Sequence, residues 1–310
     1  MDTLKTTFCN IPFQNPLVLA SGVLGTEAAL MERVARCGAG GITSKSCGPA
    51  PRAGHPNPTV LNWGPGLINA VGLANPGAAA EIEILGQAKA RLAPLGVPLI
   101  ASIFAETVAG FAQVAQQISH AQPDMIEVNI SCPNVAAEFG RPFALDAAAA
   151  AEVTRTVKSA TAIPITVKLS PNTPDLVPIA RAVVAAGADA LTAINTLGPG
   201  MIIDLESGRP ILANRVGGVS GPAIRPIAVR CVYELARAVD VPIIGTGGVT
   251  NGRSALEMIM AGATLVGVGS AVYQHGPDVF ATIQEEMVCW MQQHAINSLR
   301  EIKGRAHDPT

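Results

Sequence analysis

The chain has 310 residues, of which 49% are hydrophobic and only 14% are charged, and its formal net charge is −2 at pH 7. A charge balance this close to neutral argues against nucleic acid or an anionic membrane as a partner. The length allows one large domain or two small ones, and a (β/α)8 barrel, which uses about 250 residues, fits with room for additions. The small share of charged residues also favours a surface that is partly buried between subunits.

Six cysteines are scattered along the chain without any C-x-x-C spacing, so the sequence contains no local zinc or iron–sulfur motif and predicts no metal site. They are Cys9, Cys37, Cys47, Cys132, Cys231 and Cys289. No signal peptide is recognisable, and every long apolar run is interrupted by Gly, Pro, Asp or Asn. We therefore expect a cytoplasmic protein with reduced thiols.

Short apolar runs alternate with segments of helical period along most of the chain. Residues 5–9 and 11–13 are predicted to form a hairpin that closes the bottom of a barrel. Eight buried strands are predicted at residues 16–20, 40–46, 98–103, 126–130, 164–170, 190–196, 241–249 and 265–271. Helices are predicted at residues 26–37, 79–93, 106–121, 145–161, 176–186, 223–239, 252–261 and 277–300, and residues 301–310 are expected to fray.

Two long segments interrupt this alternation. Residues 48–76, rich in Gly, Pro and Asn, are expected to form an irregular functional loop, and residues 198–218 a hairpin or lid over the mouth. The whole pattern predicts an α/β fold, a (β/α)8 TIM barrel with an N-terminal β-hairpin and inserted loops at the C-terminal mouth, as one domain over residues 1–310. An open doubly wound sheet is the alternative, less favoured because no G-x-G-x-x-G follows the first strand.

The fourth predicted strand ends in a cluster of reactive and hydrogen-bonding side chains. Residues 126–130 are apolar and β-branched at most positions, and Pro133 prevents the strand from continuing. Asn129, Ser131, Cys132 and Asn134 follow within six residues. Because ligands bind outside the carboxyl ends of strands in parallel α/β folds, this segment predicts a reaction site with Cys132 as the candidate proton-transfer group.

Two lysines lie at or near the ends of predicted strands. Lys45 is interpreted either as a surface lysine or as a cation aimed at a substrate carboxylate or a flavin edge. Lys168 lies inside an apolar run, so it either reaches the barrel mouth or is buried with a partner. An unpaired buried lysine is costly, which favours a role in the site. A Schiff-base aldolase that uses either amine is an alternative chemistry.

Glycines follow the last two predicted strands. Gly247 and Gly248 end the seventh, and Gly269 and Ser270 end the eighth. In barrels these two loops commonly bind phosphate through backbone N–H groups, and glycine lets the backbone approach closely. The alternative is that they are only tight turns. Their presence on adjacent strands favours a phosphate site, for a substrate or for FMN.

Taken together, these motifs resemble the dihydroorotate dehydrogenase family. The resemblance spans about residues 8–273 and is carried, in family order, by Ser21-Gly22, Lys45, Asn69-Ala70-Val71-Gly72-Leu73, Asn129-Ile130-Ser131-Cys132-Pro133-Asn134, Lys168, Asn195-Thr196, Gly247-Gly248 and Gly269-Ser270. Cys132, where the membrane-bound class carries serine, resembles the soluble class 1. The segment from Asp204 to Ile224 resembles the catalytic subunit of subclass 1B.

The resemblance implies FMN and oxidation of (S)-dihydroorotate to orotate in pyrimidine biosynthesis. Cys132 would take a proton from C5 while hydride leaves C6 for the flavin. Lys168 would stabilise the negative charge that develops on the flavin, and Lys45 would pair with the substrate carboxylate and lie along the flavin. A free thiol has a pKa of about 8.5, so the rate should rise with pH until Cys132 ionises.

The other residue roles follow from the same resemblance. The expected substrate-binding residues are Lys45, Asn69, Ala70, Val71, Gly72, Leu73, Asn129, Asn134, Asn195 and Thr196. The expected cofactor-binding residues are Ser21, Lys45, Ser46, Ser102, Asn129, Lys168, Ile194, Gly221, Gly247, Gly248, Gly269 and Ser270. One departure from the family pattern is Ser102, which replaces an asparagine that contacts the flavin. A water is expected to fill the gap.

Subclass 1B implies a partner. Its electron-transfer subunit carries FAD and a [2Fe–2S] cluster and passes electrons to NAD+, in a heterotetramer built on a catalytic homodimer. The absence of a cysteine cluster from this sequence agrees with a cluster held elsewhere. The alternatives are a fumarate-dependent class 1A homodimer, a dihydropyrimidine dehydrogenase-type FMN barrel and a flavoprotein scaffold that has lost turnover.

Overall fold

The central feature of the molecule is a closed barrel of eight parallel strands, seen in a computed structural model that describes residues 2–131 and 143–307. The strands are β1 (Leu17–Leu19), β2 (Gly41–Thr43), β3 (Leu99–Ile103), β4 (Met125–Asn129), β5 (Ile165–Leu169), β6 (Ala190–Ala193), β7 (Ile243–Thr246) and β8 (Leu265–Val268). They follow one another in chain order around the barrel, and β8 pairs with β1. The predicted (β/α)8 barrel is therefore confirmed.

Helices connect the strands and cover the outside of the barrel. They are α1 (Ala28–Arg36), α2 (Ala78–Leu92), α3 (Val108–Ser119), α4 (Ala147–Ala160), α5 (Val177–Ala185), α6 (Arg225–Ala238), α7 (Gly252–Met260), α8 (Ser270–His275) and α9 (Val279–Gln293). Most strands are buried along their whole length, because their side chains face either the barrel interior or the helices. In the described residues no helix is both long enough and apolar enough to cross a bilayer.

The C-terminal end of the chain differs from its prediction. The closing helix α9 ends at Gln293 instead of continuing to residue 300, and Ala295 takes a left-handed φ of 55°. Residues 301–307, expected to fray, are docked on the barrel. Ile302 is fully buried, and Lys303 Nζ donates to Thr264 Oγ1 at 2.7 Å. The His307 ring also stacks on Tyr233 and lies 3.0 Å from the carbonyl oxygen of Ala261. The prediction of a frayed end was therefore wrong for this part, because these contacts hold it.

The N-terminal hairpin closes the bottom of the barrel, as predicted. Strand Thr6–Phe8 pairs antiparallel with Ile11–Phe13. Phe8 and Phe13 meet edge to face, with their ring centroids 6.4 Å apart. Both rings pack on buried apolar side chains of the barrel strands, among them Val18, Ile100 and Leu265.

A four-stranded antiparallel sheet lies across the two long insertions. Its strands, in spatial order, are Leu197–Gly200, Gly217–Ser220, Leu67–Asn69 and Val60–Asn62, and we call it the mouth sheet. The predicted hairpin in residues 198–218 is thus confirmed, with a second small hairpin, Ile203–Asp204 and Arg209–Pro210, at its far end. The prediction that residues 48–76 are irregular was wrong, because two of the four strands come from this loop. Ile68, Ala70 and Leu212 form a small apolar core there.

Candidate active site at the mouth of the barrel

The register of the central strands brings the polar positions of the sequence together. Asn129 on β4 lies beside Lys168 on β5, and Ser102 on β3 lies beside Glu127 on β4. Asn129 and Glu127 are two residues apart on one strand, so their side chains leave the same face. These four side chains are buried or nearly buried at the upper end of the barrel.

A cavity of about 410 Å³ opens above these strand ends, which is within the size range of small-molecule sites. Most of the residues predicted to bind substrate or cofactor line it. These are Ser21, Lys45, Ser46, Asn69, Val71, Gly72, Leu73, Asn129, Lys168, Ile194, Asn195, Thr196, Gly221, Gly247, Gly248, Gly269 and Ser270. Ala70 is fully buried and Ser102 is 1% exposed, and both lie behind the lining. Cys132 and Asn134 lie outside the described residues.

The carboxamides on the cavity wall are oriented by one another. Asn195 Nδ2 donates to Ser131 Oγ at 2.8 Å and to Asn129 Oδ1 at 3.3 Å. Ser131 Oγ also donates to Asn129 Oδ1, and Asn195 Oδ1 accepts from the backbone N–H of Thr196 at 2.7 Å. Asn69 lies across the cavity on the mouth sheet, where its Nδ2 donates to the carbonyl of Gly218. These hydrogen bonds within the protein therefore set the orientation of the amide groups.

Lys168 satisfies both alternatives that the sequence left open. Lys168 lines the cavity, and its Nζ lies 3.4 Å from Glu127 Oε1, with the two side chains 8% and 3% exposed. Glu127 was not recognised as a site residue from the sequence. The available signal was an acidic residue inside an apolar strand, two positions before Asn129 and so on the same face.

Ser102 takes part in the site from behind the cavity wall. Its hydroxyl lies 2.8 Å from Ser46 Oγ and donates to Glu127 Oε1 at 2.9 Å, while its backbone N–H donates to Ser44 Oγ at 3.2 Å. Ser46 itself lines the cavity. The family resemblance predicts an asparagine here that contacts the flavin. In this chain Ser102 instead forms hydrogen bonds with Ser46 and Glu127.

The glycines at the rim have two different roles. Gly248 has a φ of +73°, and a Cβ there would lie 2.7 Å from Arg225 Cβ and 2.8 Å from the carbonyl oxygen of Gly221, so the turn itself requires glycine. Gly269 is sterically free, because its Cβ would meet only Ala20 Cβ at 3.5 Å. The tight-turn interpretation thus explains Gly248, whereas the absence of a side chain at Gly269 leaves space in the cavity.

Comparisons with known proteins agree with this geometry. The model of the dihydroorotate dehydrogenase family matches residues 3–291. This chain belongs to the dihydroorotate dehydrogenase family. A protein of Methanothermobacter thermautotrophicus named "Dihydroorotate dehydrogenase B (NAD(+)), catalytic subunit" is 45% identical over 305 residues, which are 98% of this chain and 99% of that protein. The resemblance predicted from the motifs is thus confirmed.

Other relatives of the dihydroorotate dehydrogenase family carry the same name. One from Methanocaldococcus jannaschii is 42% identical over 305 residues, with 98% of each chain covered. One from Pyrococcus horikoshii is 40% identical over 303 residues, with 98% of this chain and 97% of that protein covered. These matches extend over nearly the whole length on both sides, so the family assignment covers the barrel and the mouth sheet together.

The barrel of this dihydroorotate dehydrogenase also contains a buried carboxylate that does not line the cavity, that of Glu81 on α2. It is 1% exposed, and neither carboxylate oxygen makes a regular hydrogen bond to the described residues. Burial raises the pKa of Glu81 from its ordinary value of 4.5 to about 7, against the opposing effects of the Ser44 hydroxyl and the Lys45 charge. Glu81 therefore lies close behind the residues that end β2.

We expect the Glu81→Gln variant to be more stable than the parent above pH 7. Between pH 4.5 and 7 the folded protein binds more protons at Glu81 than the unfolded chain does, so this carboxyl makes stability fall as pH rises. A shift from 4.5 to about 7 corresponds to a gain of about 3 kcal/mol in the free energy of unfolding at pH 8. The gain should vanish at pH 4.

Urea unfolding at pH 4, 6 and 8 checks this expectation, with Glu83→Gln, an exposed position on the same helix, as the control. A loss of stability in Glu81→Gln at pH 8 would show instead that the ionised carboxylate is held by a favourable charge interaction.

Proposed function

We propose that this chain oxidises (S)-dihydroorotate to orotate in pyrimidine biosynthesis, with FMN bound in the mouth cavity. The observation that carries the proposal is the strand register that places Lys168 beside Asn129 on a cavity rimmed by Gly247, Gly248 and Gly269. The family assignment and the names of the relatives support it.

The residues of the cavity fit a flavin mononucleotide. Gly269 lines the cavity without a side chain, so a phosphate bound there would meet backbone N–H groups. Lys168 supplies a buried cation, and the lining also includes the apolar residues Val71, Leu73 and Ile194. A flavin bound there would supply a two-electron acceptor for hydride.

The side chains of this chain would divide the remaining work. Lys168 would stabilise negative charge that develops next to it in the transition state. Asn69 and Asn195, whose amides both donate and accept, would read the planar edges of the pyrimidine ring together with Asn129. Lys45 would pair with the substrate carboxylate. Cys132 would accept the proton from C5, so that proton and hydride leave from adjacent carbons and form the ring C=C bond.

We further propose that the chain is one domain, acts in the cytoplasm and works with a partner subunit. The relatives' names contain "catalytic subunit" and "NAD(+)", which supports an electron-transfer subunit with FAD and a [2Fe–2S] cluster that passes electrons to NAD+ in a heterotetramer built on a catalytic homodimer. Exposed apolar side chains of the insertion offer a surface for an interface: Met201 is 48% exposed, Ile203 51% and Leu205 89%.

Anaerobic mixing of the purified chain with dihydroorotate tests the function. We expect the visible flavin absorbance to bleach, and neither NAD+ nor fumarate to restore it, because the partner subunit is missing. Mass spectrometry of the released cofactor should identify FMN. Reoxidation by fumarate would instead favour a class 1A enzyme. If the flavin-loaded chain binds uracil, and dihydroorotate does not bleach its flavin, the dihydropyrimidine dehydrogenase-type alternative would be favoured.

A further inference from the structure

Glu127 is the shared acceptor of two hydrogen bonds that come from opposite sides of the site. Lys168 Nζ donates to Oε1 from β5 at 3.4 Å, and Ser102 Oγ donates to the same oxygen from β3 at 2.9 Å. Glu127 is 2% exposed and does not line the cavity. The function proposed above gives this carboxylate no task, although a buried carboxylate is costly unless its neighbours compensate it.

The number of hydroxyl protons fixes the direction of the hydrogen bonds that lead away from Glu127. Ser102 has one hydroxyl proton, and it forms the hydrogen bond to the Glu127 carboxylate, since a carboxylate can only accept hydrogen bonds. In the 2.8 Å contact between Ser46 and Ser102, Ser46 is therefore the donor. Ser46 Oγ also lies 3.2 Å from Ser21 Oγ, which donates its own proton to the Ser44 carbonyl, and we assign the single Ser46 proton to the shorter contact with Ser102. Ser46 Oγ is then left to accept, and Asn129 Nδ2 donates to it at 3.2 Å.

The result is a directed chain of hydrogen bonds from the cavity wall into the barrel. It runs from the carboxamide of Asn129 through the hydroxyls of Ser46 and Ser102 to Glu127. The Glu127 carboxylate also accepts a hydrogen bond from the ammonium of Lys168. With its Nδ2 directed to Ser46, the Asn129 carboxamide turns its Oδ1 toward Ser131 and the Asn195 amide. The orientation of the Asn129 carboxamide, which is proposed to contact the pyrimidine, thus depends on the Glu127 carboxylate at the other end of the hydrogen-bond chain.

We propose that Glu127 is a positioning residue that ties the pyrimidine side of the site to the flavin side. It holds the Lys168 ammonium and partly offsets its charge, and through Ser102 and Ser46 it sets the orientation of the Asn129 carboxamide. The proposal rests on the proposed function, because that function assigns Lys168 to the flavin and Asn129 to the pyrimidine.

The two halves of this role can be separated by two substitutions. Glu127→Gln keeps the shape and an acceptor oxygen for both donors, but it removes the charge that offsets Lys168. Ser102→Ala keeps the ion pair of Glu127 and Lys168 and interrupts the chain to Ser46 and Asn129. Thr166→Val is the matched control, because the Thr166 hydroxyl is buried in the same barrel and bonds only to Thr192, at 3.0 Å, among the contacts of the described residues.

The experiment measures three equilibria on flavin-loaded protein: the reduction potential of the flavin, the dissociation constant for sulfite, and the dissociation constant for orotate. In Glu127→Gln the uncompensated Lys168 charge should favour reduced flavin at least tenfold, a shift of about 30 mV to more positive potential. Sulfite, whose binding places negative charge on the flavin, should bind at least tenfold more tightly. In Ser102→Ala the orotate dissociation constant should rise about fivefold, the cost of one lost hydrogen bond, while sulfite affinity stays within twofold.

A Glu127→Gln protein with unchanged potential and sulfite affinity would overturn the electrostatic half of the proposal. A Ser102→Ala protein with unchanged orotate affinity, or with a sulfite change as large as that of Glu127→Gln, would overturn the directed chain. If Glu127→Gln does not fold, Ser102→Ala still decides the second point. Failure of the proposed function looks different: dihydroorotate would not bleach the parent flavin, whereas the sulfite and potential shifts would remain measurable.

Discussion

Replacement of Cys132 by alanine is expected to slow the reduction of bound flavin by dihydroorotate by a factor on the order of 10² to 10⁴, the usual contribution of a general base. The flavin content should stay unchanged, because none of the cofactor contacts proposed above uses the thiol. The measurement is anaerobic stopped-flow reduction at several pH values. In the parent protein the rate should rise with pH, because the thiolate is the base form and a free thiol ionises at a pKa of about 8.5.

Two variants make this result specific. Cys132→Ser keeps a proton acceptor of much higher pKa, so its rate should be low and should continue to rise where the parent rate has levelled. Cys289→Ala removes an exposed thiol and should behave like the parent. Parent-like reduction in Cys132→Ala at every pH would remove Cys132 from the role of base and leave the flavin assignment untouched.

Gly269→Val is expected to abolish flavin binding in a protein that still folds. The backbone at Gly269 does not have a positive φ, and a Cβ there would make only an ordinary contact with Ala20 at 3.5 Å. The added methyl groups would extend into the cavity instead. The ratio of visible to ultraviolet absorbance after purification measures bound flavin, and circular dichroism measures the fold.

The neighbouring rim position gives the contrasting result. Gly248→Val should lose flavin together with stability, because the positive φ and the contact with Arg225 Cβ strain the turn itself. Gly86→Ala on α2, where a Cβ meets no atom within 4 Å, is the control and should retain flavin. A folded Gly269→Val protein with its full complement of flavin would show that the cofactor does not lie against this residue.

The barrel and the ends of its strands could be predicted because their signals are local. Strands such as Met125–Asn129 are short apolar runs, and helices such as Val108–Ser119 bury one periodic face. Lys168 could be singled out for the same reason, since a charge inside an apolar run needs a partner or water. The family motifs in the sequence also predicted that Asn69, Lys45 and Asn195 belong to one site, and all three line the cavity.

The parts that could not be predicted depend on pairings between distant residues. Nothing near Lys168 identifies Glu127 as its partner, because the two meet only through the register of neighbouring strands, 41 residues apart. Ser102 was expected to face the cofactor, and only the position of Glu127 shows why its short hydroxyl is directed elsewhere. The docked C-terminal end contributes one fully buried apolar side chain, Ile302, which is too little for a periodic signal, and its other contacts are with distant residues.

The mouth sheet also limits how this part of the sequence can change. Its two middle strands, Leu67–Asn69 and Gly217–Ser220, meet by a ladder in which Ile68 lies opposite Val219. Deleting one residue from either strand would turn its apolar side chains to the opposite face and break the small core around Leu212. In related proteins, a substitution or a change of length in residues 48–76 should therefore be accompanied by a compensating change in residues 198–218. Exchange of one loop alone between relatives should give a protein whose barrel forms but whose Asn69, on the cavity wall, is displaced.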